Sequence, residues 1–313
     1  MIASAVLVGL ALAFAWSMGA HYTGACMGMP YASGSIRLRP ALCVMAVFTL
    51  AGAVVLSRPV LVHVGHGLLA GRLAIGAAIL VLAVAFLLTT LFTWRRVPTS
   101  TIQILVFAVV GVGHGLGLTV RWGTILRLAA LWVTAPFVAF ALGFLFTRLL
   151  DLWPGQDAAL RWIGAALVAV GAAASLTMGA NDVANATAVF LTTGLAGPLA
   201  AGAIGGVGLA AGVLTWGRPL LERVAFDVVR MDRRMATAAQ GVQALVVLSA
   251  VSFGYFTSMN QALIGAMAGA GVARGRQTVQ GRVLRGILLG WAVGPGAGAL
   301  LGWGLALGWQ ALR

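Results

Sequence analysis

The chain has 313 residues, of which 61% are hydrophobic and 8% are charged, and its mean hydropathy is +1.02. Soluble domains carry charge on roughly a quarter of their residues, so this composition excludes that class. Basic residues outnumber acidic ones by 20 to 6, and all of them are arginine. Because the arginines lie in short segments between apolar runs, they are typical of helix orientation in a bilayer and not of nucleic-acid binding.

Apolar segments follow one another along the whole chain and predict an all-α polytopic membrane protein. Most of them are long enough to cross about 30 Å of hydrocarbon. They are too continuous for the alternating strands of an outer-membrane barrel. The first one lacks the basic region of a signal peptide and is interpreted as a retained helix. The segments are residues 1–20, 41–57, 73–93, 102–120, 128–147, 162–178, 199–216, 238–256, 259–273 and 286–312.

A long stretch of the sequence occurs twice. Residues 17–60 align without a gap onto 177–220 at a constant offset of 160, and 99–103 align onto 257–261 at an offset of 158. We therefore predict two repeats, residues 1–153 and 154–313, with helices interrupted at the midplane. Each holds about five crossings, and because five is odd the second repeat must lie inverted in the membrane.

The arginines provide an independent test of this inversion. In the first repeat, four arginines lie in loops 34–40 and 93–97, and two lie in the loop on the opposite side of the membrane. In the second repeat the side that is rich in arginine changes, because loop 217–237 contains five. Positive loops face the cytoplasm. We predict a bacterial cytoplasmic membrane protein with both termini outside and these loops inside: 34–40, 93–97, 217–237 and 274–285.

The first copy of the repeat has His21 and Tyr22 where the second has Asn181 and Asp182. A single histidine in an apolar segment is often only a packed side chain. Its alignment with Asn181 favours the same cavity instead, where an imidazole can donate to an anion or exchange a proton near neutral pH.

Hydroxyl residues precede one apolar run in each repeat, namely Ser100 and Thr101 in the first and Thr257 and Ser258 in the second. Such residues are ordinary helix N-caps. If the helix starts lie within the membrane, their free amides and positive dipole ends also form an anion site. Two such starts that face each other would suit a tetrahedral oxyanion.

Asp182 is the one acid of six that lies deep within an apolar segment. An intramembrane carboxylate is costly unless it is paired, hydrated or bound to a cation, so it indicates a functional site. A structural hydrogen bond is the alternative. Asn181 and Asn185 are spaced to point two amides from one helix face. The small residues around them allow either close backbone approach or an unwound helix: Gly179, Ala180, Ala184 and Ala186.

The sequence Gly-Ala-Asn-Asp-Val-Ala-Asn-Ala at 179–186, its weaker copy in the first repeat and the paired Ser/Thr helix starts resemble the inorganic phosphate transporter family over the full chain. The resemblance implies a cation-coupled oxyanion symporter. It implies that Asn181, Asp182 and Asn185 contribute to substrate and cation sites, and that the four hydroxyl residues form an oxyanion cradle.

The chain departs from this family in two places. The family has an Asn-Asp motif in both halves, where this chain has His21-Tyr22 in the first, and it ends its hydroxyl motif in His, where this chain has Gln103 and Gln261. The first copy is more similar to the sulfate-permease branch. Phosphate near neutral pH carries a proton that a carboxylate can accept, whereas sulfate needs donors only. The loss of one acid therefore favours sulfate, and it removes one sodium ligand.

We expect a secondary active transporter that imports a small inorganic oxyanion, with sulfate ahead of phosphate and H⁺ or Na⁺ as the coupling cation. Substrate binding is assigned to Asn181, Asn185, His21 and the four hydroxyl residues, and cation coupling to Asp182, Asn181 and His21, with Asp182 as the candidate Na⁺ ligand. No other cofactor is expected, and a homodimer is left open. A sodium–phosphate symporter, a passive anion channel and a non-transporting scaffold are the alternatives. A membrane enzyme would need a second acid, a metal-ligand set or a nucleophile–base pair, and the sequence shows no such set.

Overall fold

The computed structural model describes residues 1–70, 73–152, 157–228, 231–275 and 281–312. In these ranges the chain is helical, apart from short loops and an isolated bridge between Leu69 and Val120. The helices are α1 (Ile2–His21), α2 (Thr23–Ala32), α3 (Leu38–Val55), α4 (Arg58–Gly67), α5 (Ile75–Trp94), α6 (Thr101–Gly115), α7 (Trp122–Asp151), α8 (Asp157–Thr193), α9 (Pro198–Trp216), α10 (Arg218–Arg223) with a π-helical turn at Val224–Val228, α11 (Arg233–Ser252), α12 (Met259–Ala273) and α13 (Gly281–Ala311).

Eight helical segments of the described chain are long and apolar enough to cross a membrane, with α1 and α2 counted together. The predicted all-α membrane class is confirmed, but the segments at 102–120 and 259–273 differ from the rest. They form α6 and α12, each of 15 residues. A 15-residue helix is about 22 Å long, which is shorter than the hydrocarbon core. Each is half as long as the 30-residue α7, and both are called half-length helices below. Non-helical residues precede both of them.

The order of the helices repeats along the chain at the offset seen in the sequence. Helices α3 and α9 start 160 residues apart, and α6 and α12 start 158 apart. Helices of one half pack on helices of the other half, in equivalent pairs. Helix α1 packs on α9 as α8 packs on α3, and α7 packs on α12 as α13 packs on α6. The two predicted repeats therefore share one interlocked core. Part of the predicted junction, residues 153–156, lies outside the described residues.

Two glycines at equivalent positions of the repeats allow close helix contacts. A Cβ atom on Gly19 would overlap the backbone carbonyl of Leu209, and one on Gly179 would overlap that of Thr49. Close backbone approach is thus the use of Gly179. The alternative of an unwound helix around Asn181 and Asp182 is wrong, because α8 continues through them to Thr193.

The break falls instead in the first repeat, where Tyr22 alone separates α1 from α2, with φ −95° and ψ 2°. The hydrogen-bond ladder continues across it, because the Tyr22 N–H donates to Met18 and the Tyr22 carbonyl accepts from Cys26.

Ionic and polar contacts gather several loops at one face. Arg233 donates to the carbonyl of Ser33, and Arg274 pairs with both Asp151 and Asp232. The hydrogen bond to Asp151 raises the pKa of the Arg274 guanidinium. Helix α7 has 30 residues, about 45 Å, so its start beside the Leu69–Val120 bridge lies at the opposite face. The ends of loops 34–40, 217–237 and 274–285 thus lie at the same face of the protein. That this face borders the cytoplasm stays a prediction.

Candidate functional site

The centre of the site is the carboxylate of Asp182, which is fully buried on α8. Its Oδ2 accepts a hydrogen bond from the Asn181 amide at 3.0 Å, and its Oδ1 accepts one from the Asn185 amide at 3.2 Å. Burial of a carboxylate is costly unless donors satisfy it. The sequence analysis predicts that these two amides point at a ligand, but in the structure both donate to the neighbouring acid.

Asn181 also holds the chain that leads into α12. Its Oδ1 accepts from the backbone N–H of Thr257 at 3.1 Å, and its Nδ2 donates to the carbonyl of the same residue at 3.0 Å. In the first repeat, the backbone N–H of Thr99 donates to Nε2 of His21 at 3.1 Å. The predicted equivalence of His21 and Asn181 is thus reproduced in their contacts, since each binds the chain just before a half-length helix.

The hydrogen bonds of His21 fit a neutral imidazole. The Thr93 hydroxyl donates to the carbonyl of Thr89 at 2.7 Å, so it can only accept from Nδ1 of His21, which lies 2.9 Å away. Nδ1 then carries the hydrogen, and Nε2 accepts from the Thr99 N–H at 3.1 Å, which is shorter than its 3.3 Å separation from the Thr99 carbonyl. Both ring nitrogens are satisfied without a second proton. This arrangement favours a positioning role for His21, and its part in proton exchange stays a prediction.

The two half-length helices begin next to each other. Ser100 caps α6 by accepting from the Gln103 N–H, and Ser258 caps α12 by accepting from the Gln261 N–H, both at 3.4 Å. The Gln103 side chain donates to that of Gln261 at 3.4 Å, so the first turns of both helices adjoin. The first backbone N–H groups of a helix have no partner within the helix. Two positive helix ends therefore converge here, a geometry that attracts an anion.

Tyr22 connects the break between α1 and α2 to the start of α6, although the sequence analysis assigns it no role. Its hydroxyl lies 2.9 Å from the Thr101 hydroxyl, and both side chains are fully buried. The alignment of Tyr22 on Asp182 in the repeat is the signal that could have indicated its place in the site.

Amide side chains on α11 and α12 complete the polar surroundings, and the sequence analysis also misses them. Asn260 donates to the carbonyl of Thr99 at 2.6 Å, and Gln240 donates to the carbonyl of Ala25 at 2.9 Å. Gln243 is bonded to Gln240 and donates to the carbonyl of Met259 at 3.4 Å. The Asn260 bond holds the non-helical backbone before α6, the Gln243 bond reaches the first residue of α12, and the Gln240 bond joins α11 to α2.

Three buried oxygens in this cluster lack a hydrogen-bond partner within the described chain: Oγ1 of Thr257, Oδ1 of Asn185 and Oε1 of Gln240. Buried polar atoms without partners are rare in proteins and indicate a site for a ligand, ion or water. Asn185 also lines a cavity of about 50 Å³ with Thr192 and apolar residues of α4, α5, α6 and α8. A cavity of this size holds water-sized guests where polar groups line it.

All the residues assigned from the sequence to substrate or cation binding meet in this buried cluster: His21, Ser100, Thr101, Asn181, Asp182, Asn185, Thr257 and Ser258. Hydrogen bonds link the acid to the start of α12 through Asn181 and the Thr257 backbone, and Tyr22 bonds to the start of α6 at the Thr101 hydroxyl. Their roles in binding stay predictions.

A buried polar centre between short helices within a core of membrane-spanning helices is the architecture of a secondary transporter. Residues 18–302 match the model of the phosphate transporter family, and the chain belongs to that family. It is a multi-pass membrane transporter and not an enzyme.

Relatives within the family carry names for two different oxyanions. The chain is 29% identical to a sulfate permease, CysP of Bacillus subtilis, over 91% of this chain and 82% of the relative. It is 25% identical to a putative phosphate permease of Pyrococcus furiosus, over 95% of this chain and 94% of the relative. A solved structure titled the sodium-dependent phosphate transporter superposes with a TM-score of 0.92 over 100% of both chains at 20% identity, and this likeness shows the fold.

Proposed function

We propose that this protein imports a small inorganic oxyanion, sulfate ahead of phosphate, across a bacterial cytoplasmic membrane together with a coupling cation. The observation that carries the proposal is the connection of one buried acid, through a single side chain, to one of two converging helix starts. Asn181 bonds to both Asp182 and the Thr257 backbone that leads into α12. A change at the acid is therefore transmitted to an anion-attracting helix end, which is what symport requires.

Sulfate is favoured by the balance of donors and acceptors in the cluster. Sulfate is a pure acceptor at neutral pH, whereas phosphate carries at least one hydrogen that needs an acceptor of its own. The second copy of the repeat motif supplies Asp182, but the first supplies Tyr22 at the equivalent position. The sulfate permease among the relatives supports the same preference, and the phosphate permeases support the alternative.

Cation coupling is assigned to Asp182, because a buried carboxylate can exchange a proton or hold a cation. A cavity lies one residue away from the acid, since Asn185 both lines that cavity and bonds to Asp182. A proton needs only one lone pair of the carboxylate. We therefore rank H⁺ ahead of Na⁺.

The test is uptake of radiolabelled sulfate and phosphate by proteoliposomes under separate proton and sodium gradients. Sulfate accumulation driven by the proton gradient is expected. Asp182→Asn should abolish accumulation, whereas net movement of sulfate down its own gradient should continue. Glu222→Gln is the matched control, since Glu222 lies at the surface in an ion pair with Arg218 and should behave as the wild type.

Three outcomes would overturn parts of the proposal. Uptake of neither anion would exclude the function and leave a non-transporting scaffold. Equilibration without accumulation under any gradient would indicate a passive channel. Full accumulation by Asp182→Asn would exclude Asp182 as the coupling group.

A sodium-coupled phosphate symporter is the second candidate, and the free oxygen of Asn185 favours it. Oδ1 of Asn185 has no partner within the described chain and lies on the residue that bonds to Asp182. Carboxylate and amide oxygens are suitable ligands for a hard cation. Phosphate accumulation that requires a sodium gradient would select this candidate over the first.

A further inference from the structure

The cavity beside Asn185 lies between α4, α5, α6 and α8 and adjoins the segment that forms the Leu69–Val120 bridge. The face of the protein that carries this bridge is called the bridge face below. The polar lining of the cavity comes from Asn185 and Thr192 of α8, which are about 10 Å apart along the helix. The cavity thus adjoins both the bridge face and the residue that bonds to Asp182.

The size and lining of this cavity suit water. Its volume of about 50 Å³ has room for about three or four water molecules. Oδ1 of Asn185 is buried and lacks a partner within the described chain, so it can accept a hydrogen bond from one of them. The described residues of the lining include no charged side chain to attract an oxyanion, and two polar ones are too few for a hard cation that takes about six oxygen ligands. Water and a proton carried by it are the guests that fit.

The equivalent space at the opposite face is filled by a side chain. Three apolar residues that line the cavity have equivalents 160 residues away, and the pairs are Val64 and Val224, Ala184 and Gly24, and Ala188 and Gly28. Val224 lies in the π-helical turn that follows α10. A Cβ atom on Gly24 would overlap its side chain, and one on Gly28 would lie 3.0 Å from it. Val224 therefore packs directly on the backbone of α2, where Val64 leaves a cavity beside α8.

A hydrogen bond stabilises the closed arrangement at the opposite face. The Thr23 hydroxyl at the start of α2 donates to the carbonyl of Gly217, just before α10, at 2.6 Å. The equivalent of Thr23 on α8 is Val183, which has no hydroxyl to donate. The two faces therefore differ both in packing and in hydrogen bonding.

We propose that the cavity is a water-filled entry site through which the coupling proton reaches Asp182 from the bridge face, and that Val224 closes the equivalent space at the opposite face. This inference rests on the proposed function, which assigns coupling to Asp182. A hydronium ion in the cavity gives its proton to the carboxylate, and a water molecule and a neutral carboxylic acid result. The Asn185 amide bonds to this carboxylate at 3.2 Å and the Asn181 amide at 3.0 Å, so water displaces the longer of the two bonds in the last step.

The first experiment detects water in the wild type by X-ray footprinting, in which hydroxyl radicals formed from water oxidise adjacent side chains. Val64 and Val224 are the same residue type at equivalent positions, and both are buried, with 8% and 4% exposure. Val64 should be oxidised at least about tenfold faster than Val224, because Val64 adjoins the water-filled cavity. Mass spectrometry of peptides measures both rates. Equal rates would overturn the inference.

The second experiment fills the entry site. Ala188→Leu places a larger side chain in the cavity and should lower proton-driven sulfate accumulation at least about tenfold, whereas sulfate affinity in equilibrium dialysis should stay within about twofold. The proposed anion site lies at the starts of α6 and α12, so the two measurements distinguish blocked proton entry from loss of the fold. Ala169→Leu is the matched control, because Ala169 is exposed on the same helix. Full accumulation by Ala188→Leu would overturn the inference.

The third experiment opens the closed face. Val224→Ala removes the side chain that packs on Gly24 and Gly28, so water should reach the site from both faces at once and proton coupling should be lost. Accumulation should fall at least about tenfold more in Val224→Ala than in Val64→Ala, whereas movement of sulfate down its own gradient should continue. Equal losses in the two variants would overturn the role of Val224.

Failure of this inference and failure of the proposed function give different results. If the wild type transports neither sulfate nor phosphate, the proposed function fails, while the oxidation rates of Val64 and Val224 still decide whether water fills the cavity. If accumulation follows only a sodium gradient, proton entry is overturned while oxyanion import stands. If a variant loses sulfate affinity because it does not fold, footprinting of the wild type decides.

Discussion

The side chains of Gln103 and Gln261, which are 158 residues apart, hydrogen-bond to each other between the first turns of α6 and α12. This separation equals the offset of the repeat in that region. Two copies of one position can meet only where the halves adjoin about a common axis. The contact fixes the spacing of the two helix starts at which we propose that the oxyanion binds, while the inversion of the repeats stays a prediction.

The first prediction concerns this glutamine pair. Gln103→Ala and Gln261→Ala should each lower kcat/KM for oxyanion uptake, because each leaves the other amide unpaired in a buried site. The double variant should lose less than the product of the single losses, with a coupling energy of about 0.5–3 kcal/mol. A double-mutant cycle on uptake measures this quantity. Additive losses would show that the 3.4 Å contact contributes nothing to the site.

The second prediction separates the two roles considered for His21. Asparagine can accept from the Thr99 N–H as Asn181 accepts from Thr257, so His21→Asn should keep proton-driven accumulation within about twofold. Leucine cannot accept, so His21→Leu leaves a buried N–H unpaired and should destabilise the protein by about 1–3 kcal/mol. Uptake under a proton gradient and the melting temperature in detergent are the measurements. If His21 carried the coupled proton, His21→Asn would abolish accumulation.

The third prediction concerns the close contact of α8 with α3 at Gly179. A methyl group there would overlap the Thr49 carbonyl, so Gly179→Ala should destabilise the protein by about 1–3 kcal/mol. Gly9→Ala is the matched control, since nothing lies within 4 Å of a Cβ atom at that position. Because alanine is the better helix former, the control should be neutral or stabilising. Melting temperatures in detergent that fall equally for both would contradict the contact.

The fourth prediction concerns the ion cluster of Arg274 with Asp151 and Asp232. These side chains are 23–34% exposed, so solvent screens them and Arg274→Gln should cost only about 1 kcal/mol or less. Asp232 also caps α11 by accepting from the N–H groups of Arg234 and Met235. Asp232→Asn keeps a capping side chain, whereas Asp232→Ala loses it and should cost about 1 kcal/mol more. Melting curves at low and high salt separate the two effects, because salt weakens only the ionic one.

The sequence predicts the parts of this molecule that depend on composition and repetition. Membrane helices follow from the apolar runs, and the importance of Asp182 follows from its position within one. The pairing of His21 with Asn181 follows from the offset, because equivalent positions in a repeat occupy equivalent surroundings. These features need no knowledge of side-chain geometry.

The features that the sequence does not predict depend on contacts between distant segments. Nothing in the local pattern shows that the Tyr22 hydroxyl reaches Thr101, or that both asparagine amides bond to the acid. The small residues near Asp182 fit an unwound helix as well as a close contact. The choice is made by α3, whose Thr49 carbonyl approaches Gly179.

The last prediction tests which face of the protein borders the cytoplasm. Cys43 is exposed and Cys26 is buried, so Cys43→Ser removes the reactive background. In that variant, Leu195→Cys should be labelled on intact cells by an impermeant maleimide, whereas Glu222→Cys should be labelled only after permeabilisation.

Arg37→Cys provides a second constraint on the same experiment. The Arg233–Ser33 hydrogen bond holds loop 34–40 beside loop 217–237, so Arg37→Cys must be labelled under the same conditions as Glu222→Cys. If both are labelled from outside, the predicted orientation is reversed while the fold stands. If they are labelled from opposite sides, the fold itself is contradicted, because two loops in direct contact must lie on the same face of the membrane.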